Sequence, residues 1–160
     1  MLKQLNHNYE ADPNGSWPDF KVVGKDIILV FDLNYFIYEQ FKEGDKGRII
    51  FKDCLMYRVG DPNDEGFYGK NNNSAWKAST AEKLGWENYP EISKSIGWDN
   101  FYEIEGSDWK SITEFGGTVI KEVENKQEYK HYVFFMKDGT FECVARTYSE
   151  EIPMINIGLL

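Results

Sequence analysis

The sequence of residues 129–146 is YKHYVFFMKDGTFECVAR. Two apolar segments meet here at Asp138-Gly139, a pair that favours a type I′ turn because both central positions of that turn need positive φ. The sequence therefore predicts a β-hairpin whose two-residue loop is Asp138-Gly139.

The predicted loop fixes the register of the hairpin, because the residues on either side of it must pair in order. The predicted pairs are Lys137 with Thr140, Met136 with Phe141, Phe134 with Cys143, and Tyr132 with Ala145. One face is apolar and is predicted to lie in the core: Tyr132, Phe134, Met136, Phe141, Cys143 and Ala145. The other face is mixed and is predicted to be at most partly buried: His131, Val133, Phe135, Glu142, Val144 and Arg146.

Alternation of apolar and polar residues predicts two further long strands, over residues 27–36 and 48–59. Asp53 interrupts the second, which indicates either a bulge or two successive strands, with Phe51 and Leu55 on one face. Short helices are predicted over residues 74–84 and 90–96. The fold class is mainly β, or α+β with little helix: a single antiparallel-sheet domain, a sandwich or a roll, with one or two short helices. Residues 1–19, rich in turn formers, are predicted to form a loop-like leader, and residues 20–160 the β-rich domain.

Composition and charge restrict the function classes. The chain has 160 residues and a formal net charge of −9, which disfavours binding to nucleic acids and to anionic membranes. No apolar run approaches the length of about 20 residues that spans a bilayer, and the first ten residues lack an apolar signal region. Cys54 and Cys143 lie in apolar segments and are predicted to be free thiols of the core, which favours a cytoplasmic protein.

The richest polar cluster follows the second long strand: Arg58, then Asp61, Asn63, Asp64 and Glu65. Its carboxylates could bind a cation or act as an acid and a base, but the spacing lacks the alternating acceptors and central glycine of a calcium loop. The other interpretation is a structural turn around Pro62, with Arg58 neutralising a nearby carboxylate. No metal and no cofactor is predicted.

Glu142 is the second candidate position, because it lies in a strand between Phe141 and Cys143. If it is buried it needs a cationic partner, and Arg58, His131 and Arg146 are the candidates. The candidate binding residues are therefore Arg58, Asn63, Asp64, Glu65, Trp109, His131 and Glu142. A phosphate loop, a dinucleotide fingerprint and a nucleophile elbow are absent from the sequence, which favours a protein that is not an enzyme.

Three segments resemble, in the same order, recurring motifs of a group of small bacterial proteins of unknown activity. The segments are Arg58-x-Gly60-x-Pro62-Asn63-Asp64-Glu65 with Gly69, then Phe101-x-Glu103-x-x-x-Ser107-x-Trp109, then His131-Tyr132-Val133-Phe134 with Asp138-x-Thr140-Phe141-Glu142-Cys143-x-Ala145. The resemblance implies a shared fold and a shared site around Arg58, Asp64, Glu65 and Glu142. Where the group has His-Pro after the glycine and His before the aspartate, this sequence has Lys70-Asn71 and Lys137, which favours binding over catalysis.

Three functions are compatible with these features. The first is a non-enzymatic cytoplasmic binding protein that neutralises a basic protein partner, as an immunity protein does, since an acidic surface attracts cationic partners. The second is a small-molecule binder or hydrolase that uses Asp64, Glu65 and Glu142 together with His131. The third is a structural domain that oligomerises through a sheet edge.

Overall fold

The computed structural model describes residues 2–60, 97, 99–114, 116–122, 125–136 and 139–155. Within these ranges the chain forms eight β-strands: β1 (Leu2–Gln4), β2 (Asp19–Val23), β3 (Asp26–Asp32), β4 (Lys46–Gly60), β5 (Asn100–Ile104), β6 (Thr118–Val119), β7 (Lys130–Met136) and β8 (Gly139–Glu151). The same residues contain one short α-helix, α1 (Lys110–Thr113), and a 3-10 turn over Lys126–Glu128. The prediction of a mainly β fold is confirmed. The helices predicted over residues 74–84 and 90–96 lie outside the described residues.

All strand pairs are antiparallel and belong to one open sheet. Seven strands follow the order β1-β5-β7-β8-β4-β3-β2, and β6 pairs with the distal part of β4. The sheet curls strongly. Phe31 on β3 and Phe134 on β7 have ring centroids 5.0 Å apart, although three strand spacings would separate them by about 14 Å in a flat sheet. The described strands therefore form a roll rather than two facing sheets.

The hairpin at the centre of this sheet is β7 and β8, but its register differs from the predicted one. Met136 pairs with Gly139 and Phe134 with Phe141, so the connection lies one residue earlier than Asp138-Gly139. Gly139 belongs to β8, where a side chain would meet the Trp17 ring. The shift moves each partner by two positions, so the residues that share a face stay the same.

The inner face of the curled sheet holds the main core. The six hairpin residues predicted to be buried lie there, packed with Phe51 of β4 and Phe101 of β5. The expectation for the opposite face was wrong, because His131, Val133, Phe135, Glu142 and Val144 are also buried and only Arg146 is exposed. A second cluster covers part of that outer face: Leu55, Met56, Trp109, Ile112, Tyr129 and Val144.

Strand β4 is continuous and carries the predicted bulge. Asp53 has a φ of 55°, and the register with β8 shifts between Cys54 and Met56. The extra residue reverses the alternation: Leu55, predicted on the face of Phe51, lies in the outer cluster, and Cys54 takes the inner position. Both cysteines are buried free thiols, as predicted.

The first 19 residues contribute structure to the sheet, so the prediction of a loop-like leader is wrong for Leu2–Gln4, which form the edge strand β1. Ala11 bridges to Leu33. Tyr9 and Ala11 belong to the main core. This segment is held against the sheet because its own apolar side chains pack in the core of the roll.

Gly47 tests how tightly the curled sheet is packed. A Cβ at this position would lie 2.7 Å from Phe31 Cζ and 2.8 Å from Ile152 Cδ1. We expect Gly47→Ala to lower the free energy of unfolding by about 1–3 kcal/mol, as overpacking does, measured by urea denaturation. Adding Ile152→Val, which removes the Cδ1 atom, should recover part of the loss. Equal stability of Gly47→Ala and the parent protein would show that the core is looser than described.

Candidate functional site

Four of the seven predicted binding residues are described and are brought close to one another: Arg58, Trp109, His131 and Glu142. The other three, Asn63, Asp64 and Glu65, lie outside the described residues. The sheet explains the convergence, since Glu142 on β8 pairs with Arg58 on β4 and with Val133 on β7. His131 is two residues from Val133 and therefore shares the face of Glu142.

Glu142 is buried, with 1% of its side chain exposed, and three side chains of the described residues contact it. Arg58 Nη1 lies 3.4 Å from Oε2, and His131 Nε2 lies 2.9 Å from Oε1. The Ser111 hydroxyl donates a hydrogen bond to Oε1. The expectation that a buried Glu142 needs a cationic partner is confirmed for Arg58, and His131, the second candidate, is a hydrogen-bonded neighbour of the carboxylate. The third candidate, Arg146, pairs instead with Asp53 and Glu128.

His131 connects this carboxylate to a second hydroxyl. Ser107 Oγ lies 2.6 Å from His131 Nδ1. With Glu142 as a carboxylate, Nε2 carries the hydrogen and donates it to Oε1, so Nδ1 accepts the hydrogen bond of the Ser107 hydroxyl. The Trp109 backbone N–H in turn donates to Ser107 Oγ over 3.0 Å. We call Arg58, Ser107, Ser111, His131 and Glu142 the Glu142 network.

Two members of the Glu142 network, Ser107 and Ser111, are not among the predicted site residues. Ser107 precedes α1 and Ser111 belongs to it. This helix covers part of the outer face of the sheet. Ser107 occurs in the motif that carries the resemblance, two residues before Trp109. That motif was the sequence signal that could have identified it. Ser111 has no comparable signal, because a buried carboxylate implies donors without identifying which residue supplies them.

A cavity of about 410 Å³ opens beside the Glu142 network. Ser107 and His131 line it together with Trp109 and Tyr129, and Lys126 Nζ lies 5.4 Å from the Trp109 ring centroid. A volume of this size suits a small organic ligand. The cavity therefore gives solvent access to the Ser107 end of a polar chain in which His131, Glu142 and Ser111 are buried.

A second polar cluster surrounds the bulge residue Asp53. Its carboxylate accepts hydrogen bonds from Lys121 Nζ, from Arg146 Nε at 2.9 Å and from the Tyr129 hydroxyl at 3.1 Å. The hydrogen bond from Lys121, followed by that from Arg146, lowers the pKa of Asp53 to about 2. The same contacts with Asp53 raise the pKa of Lys121 and of Arg146. Every charge here is compensated, which is typical of a structural ion-pair cluster.

A third feature is the loop between β3 and β4, residues 33–45, which we call the acidic loop. Phe36 and Ile37 expose 66% and 62% of their surface there. The loop carries Glu39, Glu43 and Asp45 against one cation, Lys42, and Glu10 contacts it through a backbone hydrogen bond to Asn34. It thus combines exposed apolar side chains with acidic neighbours.

No family model, curated protein or solved structure matches this chain. The resemblance to the bacterial group stays a prediction. Within the described ranges, no helix is long and apolar enough to cross a membrane. In those same ranges, no cluster of three or more histidine, cysteine or acidic side chains could hold a metal ion.

Removing the Glu142 carboxylate should destabilise the fold strongly. Glu142→Ala leaves Arg58, His131 and Ser111 facing an empty buried site, so we expect a loss of about 3–5 kcal/mol in the free energy of unfolding, measured by denaturant titration. Glu128→Gln is the matched control, because its ion pair with Arg146 is half exposed and should contribute no more than about 1 kcal/mol. Similar losses in both variants would contradict the assignment of Glu142 as the buried centre.

The Asp53 cluster predicts how stability depends on pH. Because the folded protein holds the pKa of Asp53 at about 2, below the ordinary value of 3.8, its carboxylate stabilises the fold above pH 3.8 and loses that effect as pH falls towards 2. Asp53→Asn keeps a residue type that tolerates positive φ and removes the charge. We expect the variant to be less stable than the parent at pH 7, and the difference in melting temperature to disappear near pH 2. A difference that stays constant from pH 7 to pH 2 would contradict this role.

Proposed function

We propose that the protein is a cytoplasmic binding protein that holds a basic protein partner against the acidic loop, as immunity proteins hold cationic toxins. The observation that carries the proposal is the exposure of Phe36 and Ile37, 66% and 62%. Large apolar side chains that stand out from a surface next to charges are typical anchors of protein interfaces.

Shape and rigidity support the acidic loop as an interface. Phe36 stacks on Tyr35 with ring centroids 4.4 Å apart, and the Phe36 N–H donates to Asn34 Oδ1. At the loop's other end Phe41 is buried in the core, and its N–H bonds to the Tyr38 carbonyl. A loop that is already ordered loses little conformational entropy when a partner binds.

The electrostatic environment supports a cationic partner. Burial is the main cause that raises the pKa of Tyr35, and the negative charges of Glu43 and Asp12 raise it further. Burial and then Glu10 act in the same direction on the pKa of Tyr38. For both phenols the secondary cause is the charge of nearby acidic side chains, in a chain whose net charge is −9. Such a surface increases the rate of association with basic proteins, and salt weakens the effect.

Two paired variants test the proposal on a partner identified by affinity capture from source-cell lysate and then purified. Phe36→Ala with Ile37→Ala should weaken the partner's affinity at least about tenfold, measured by titration calorimetry. The control is Val22→Ala with Val23→Ala, which removes exposed apolar groups from β2 and should leave affinity unchanged. Glu39→Lys with Glu43→Lys should slow association mainly at low salt.

Three results would overturn the proposal. The first is a purified partner that is acidic, and the second is affinity that is unchanged by the Phe36 and Ile37 substitutions. The third is the absence of any reproducible partner at both low and physiological salt, about 0.15 M.

A further inference from the structure

We infer that Ser107 is an activated nucleophile which accepts the acyl group of small carboxylic esters in the cavity beside the Glu142 network. This goes beyond the proposed binding function and uses a different part of the molecule. The acidic loop precedes β4, whereas Arg58 and Glu142 pair near the other end of that strand.

The geometry connects a nucleophile, a base and an acid in series. Ser107 Oγ is 2.6 Å from His131 Nδ1, and His131 Nε2 is 2.9 Å from Glu142 Oε1. Both distances lie within the hydrogen-bond reach of general acid–base catalysis. A serine, a histidine and a carboxylate joined in series activate a serine hydroxyl on several unrelated folds. Here the ring nitrogens are exchanged relative to that arrangement, since Nδ1 faces the serine and Nε2 the carboxylate.

The Glu142 carboxylate is held in one place, as a residue that positions another side chain must be. Glu142 and His131 are 1% and 2% exposed, and Ser111 and Arg58 fix the two carboxylate oxygens. The imidazole orientation is therefore locked from its buried side. Ser107, at the far end of the chain, is partly exposed and lines the cavity together with His131.

The backbone around Ser107 is held in uncommon conformations. Gly106 has a φ of 71°, and Trp109, which is not a glycine, has a φ of 66°. Left-handed conformations of large residues persist only where the surroundings impose them, and they cluster at functional sites. Here the constraint directs the Trp109 N–H at Ser107 Oγ, which orients the hydroxyl towards the imidazole.

The acylation step needs no reactant besides the ester, Ser107 and His131. Ser107 Oγ bonds to the ester carbonyl carbon while its proton passes to His131 Nδ1. The ester's carbon–alkoxy bond then breaks, and the departing oxygen takes that proton from Nδ1 and leaves as the alcohol. Glu142 keeps its hydrogen bond to Nε2 throughout and stabilises the transient imidazolium.

The cavity defines the ester class. Its volume of about 410 Å³ accommodates a small ligand rather than a polymer. Trp109 and Ile104 are among its lining residues and offer apolar contact for an aromatic or short aliphatic group. We therefore expect esters of phenols or of short acids as substrates.

Covalent labelling of the full-length folded protein tests this inference directly. A fluorophosphonate reacts with activated serines by forming an oxygen–phosphorus bond and releasing fluoride, and the adduct is located by peptide mass spectrometry. We expect one adduct, on Ser107, and a burst of phenolate from p-nitrophenyl acetate. Ser107→Ala should abolish both, whereas Ser16→Ala, a surface serine outside the Glu142 network, should change neither.

A second variant separates activation from structure. Glu142→Gln keeps a hydrogen-bond acceptor for His131 but removes the charge, and we expect labelling of Ser107 at least about 100-fold slower at a temperature where circular dichroism shows a folded protein. If Glu142→Gln does not fold, labelling of the parent protein alone tests the inference. The absence of an adduct on Ser107, or adducts spread over several surface serines, overturns it. Equal labelling of the parent and a folded Glu142→Gln also overturns it. Substitution of Phe36 and Ile37 should not affect labelling, so the two proposals fail independently.

Discussion

A carboxylate inside the outer cluster is the constraint on which much of this structure depends. Taking Glu142 out of water costs several kcal/mol unless it is paired and hydrogen-bonded. Its partners come from three separate segments: Arg58 from β4, His131 from β7 and Ser111 from α1. The register of β4-β8-β7 and the position of α1 must therefore all be correct before the charge is compensated. A displacement of α1 would remove one donor, and a shift of β4 would remove the guanidinium.

The curled sheet explains why both faces of the hairpin can be apolar. A flat antiparallel sheet buries one face and leaves the other to water. Here the inner face closes on itself, as the contact between Phe31 and Phe134 shows, and α1 with Trp109 covers part of the outer face. The bulge at Asp53 joins the two clusters, because it sends Cys54 inward and Leu55 outward along one strand. Its left-handed residue is in turn held by Lys121, Arg146 and Tyr129.

Local patterns in the sequence were sufficient to predict four of the strands and the hairpin residues of the inner face, but not β1. Period-two alternation located β3, β4, β7 and β8, and Asp53 indicated the bulge. The hairpin register could not be obtained in the same way. The Asp138-Gly139 turn preference is a local property, whereas in the structure Gly139 pairs with Met136 and the Trp17 ring occupies the space that a side chain at Gly139 would need. Burial of the outer face depends on α1, whose four residues carry too little periodicity to predict their packing.

The candidate site was predictable only in part, for the same reason. A glutamate flanked by apolar strand residues implies a buried charge and limits its partners to a few candidates, and two of the three predicted, Arg58 and His131, are its neighbours. Hydroxyl donors are different, because serines are common and their sequence separation from Glu142 carries no signal. Ser107 and Ser111 meet Glu142 and His131 only because β5 pairs with β7 and the chain then returns over the outer face. That return path also places Ser107, with His131, at the wall of the cavity, while Glu142 and Ser111 stay buried. The network thus joins a partly exposed hydroxyl to a buried carboxylate through one imidazole, and this connection depends on the pairing of β5 with β7.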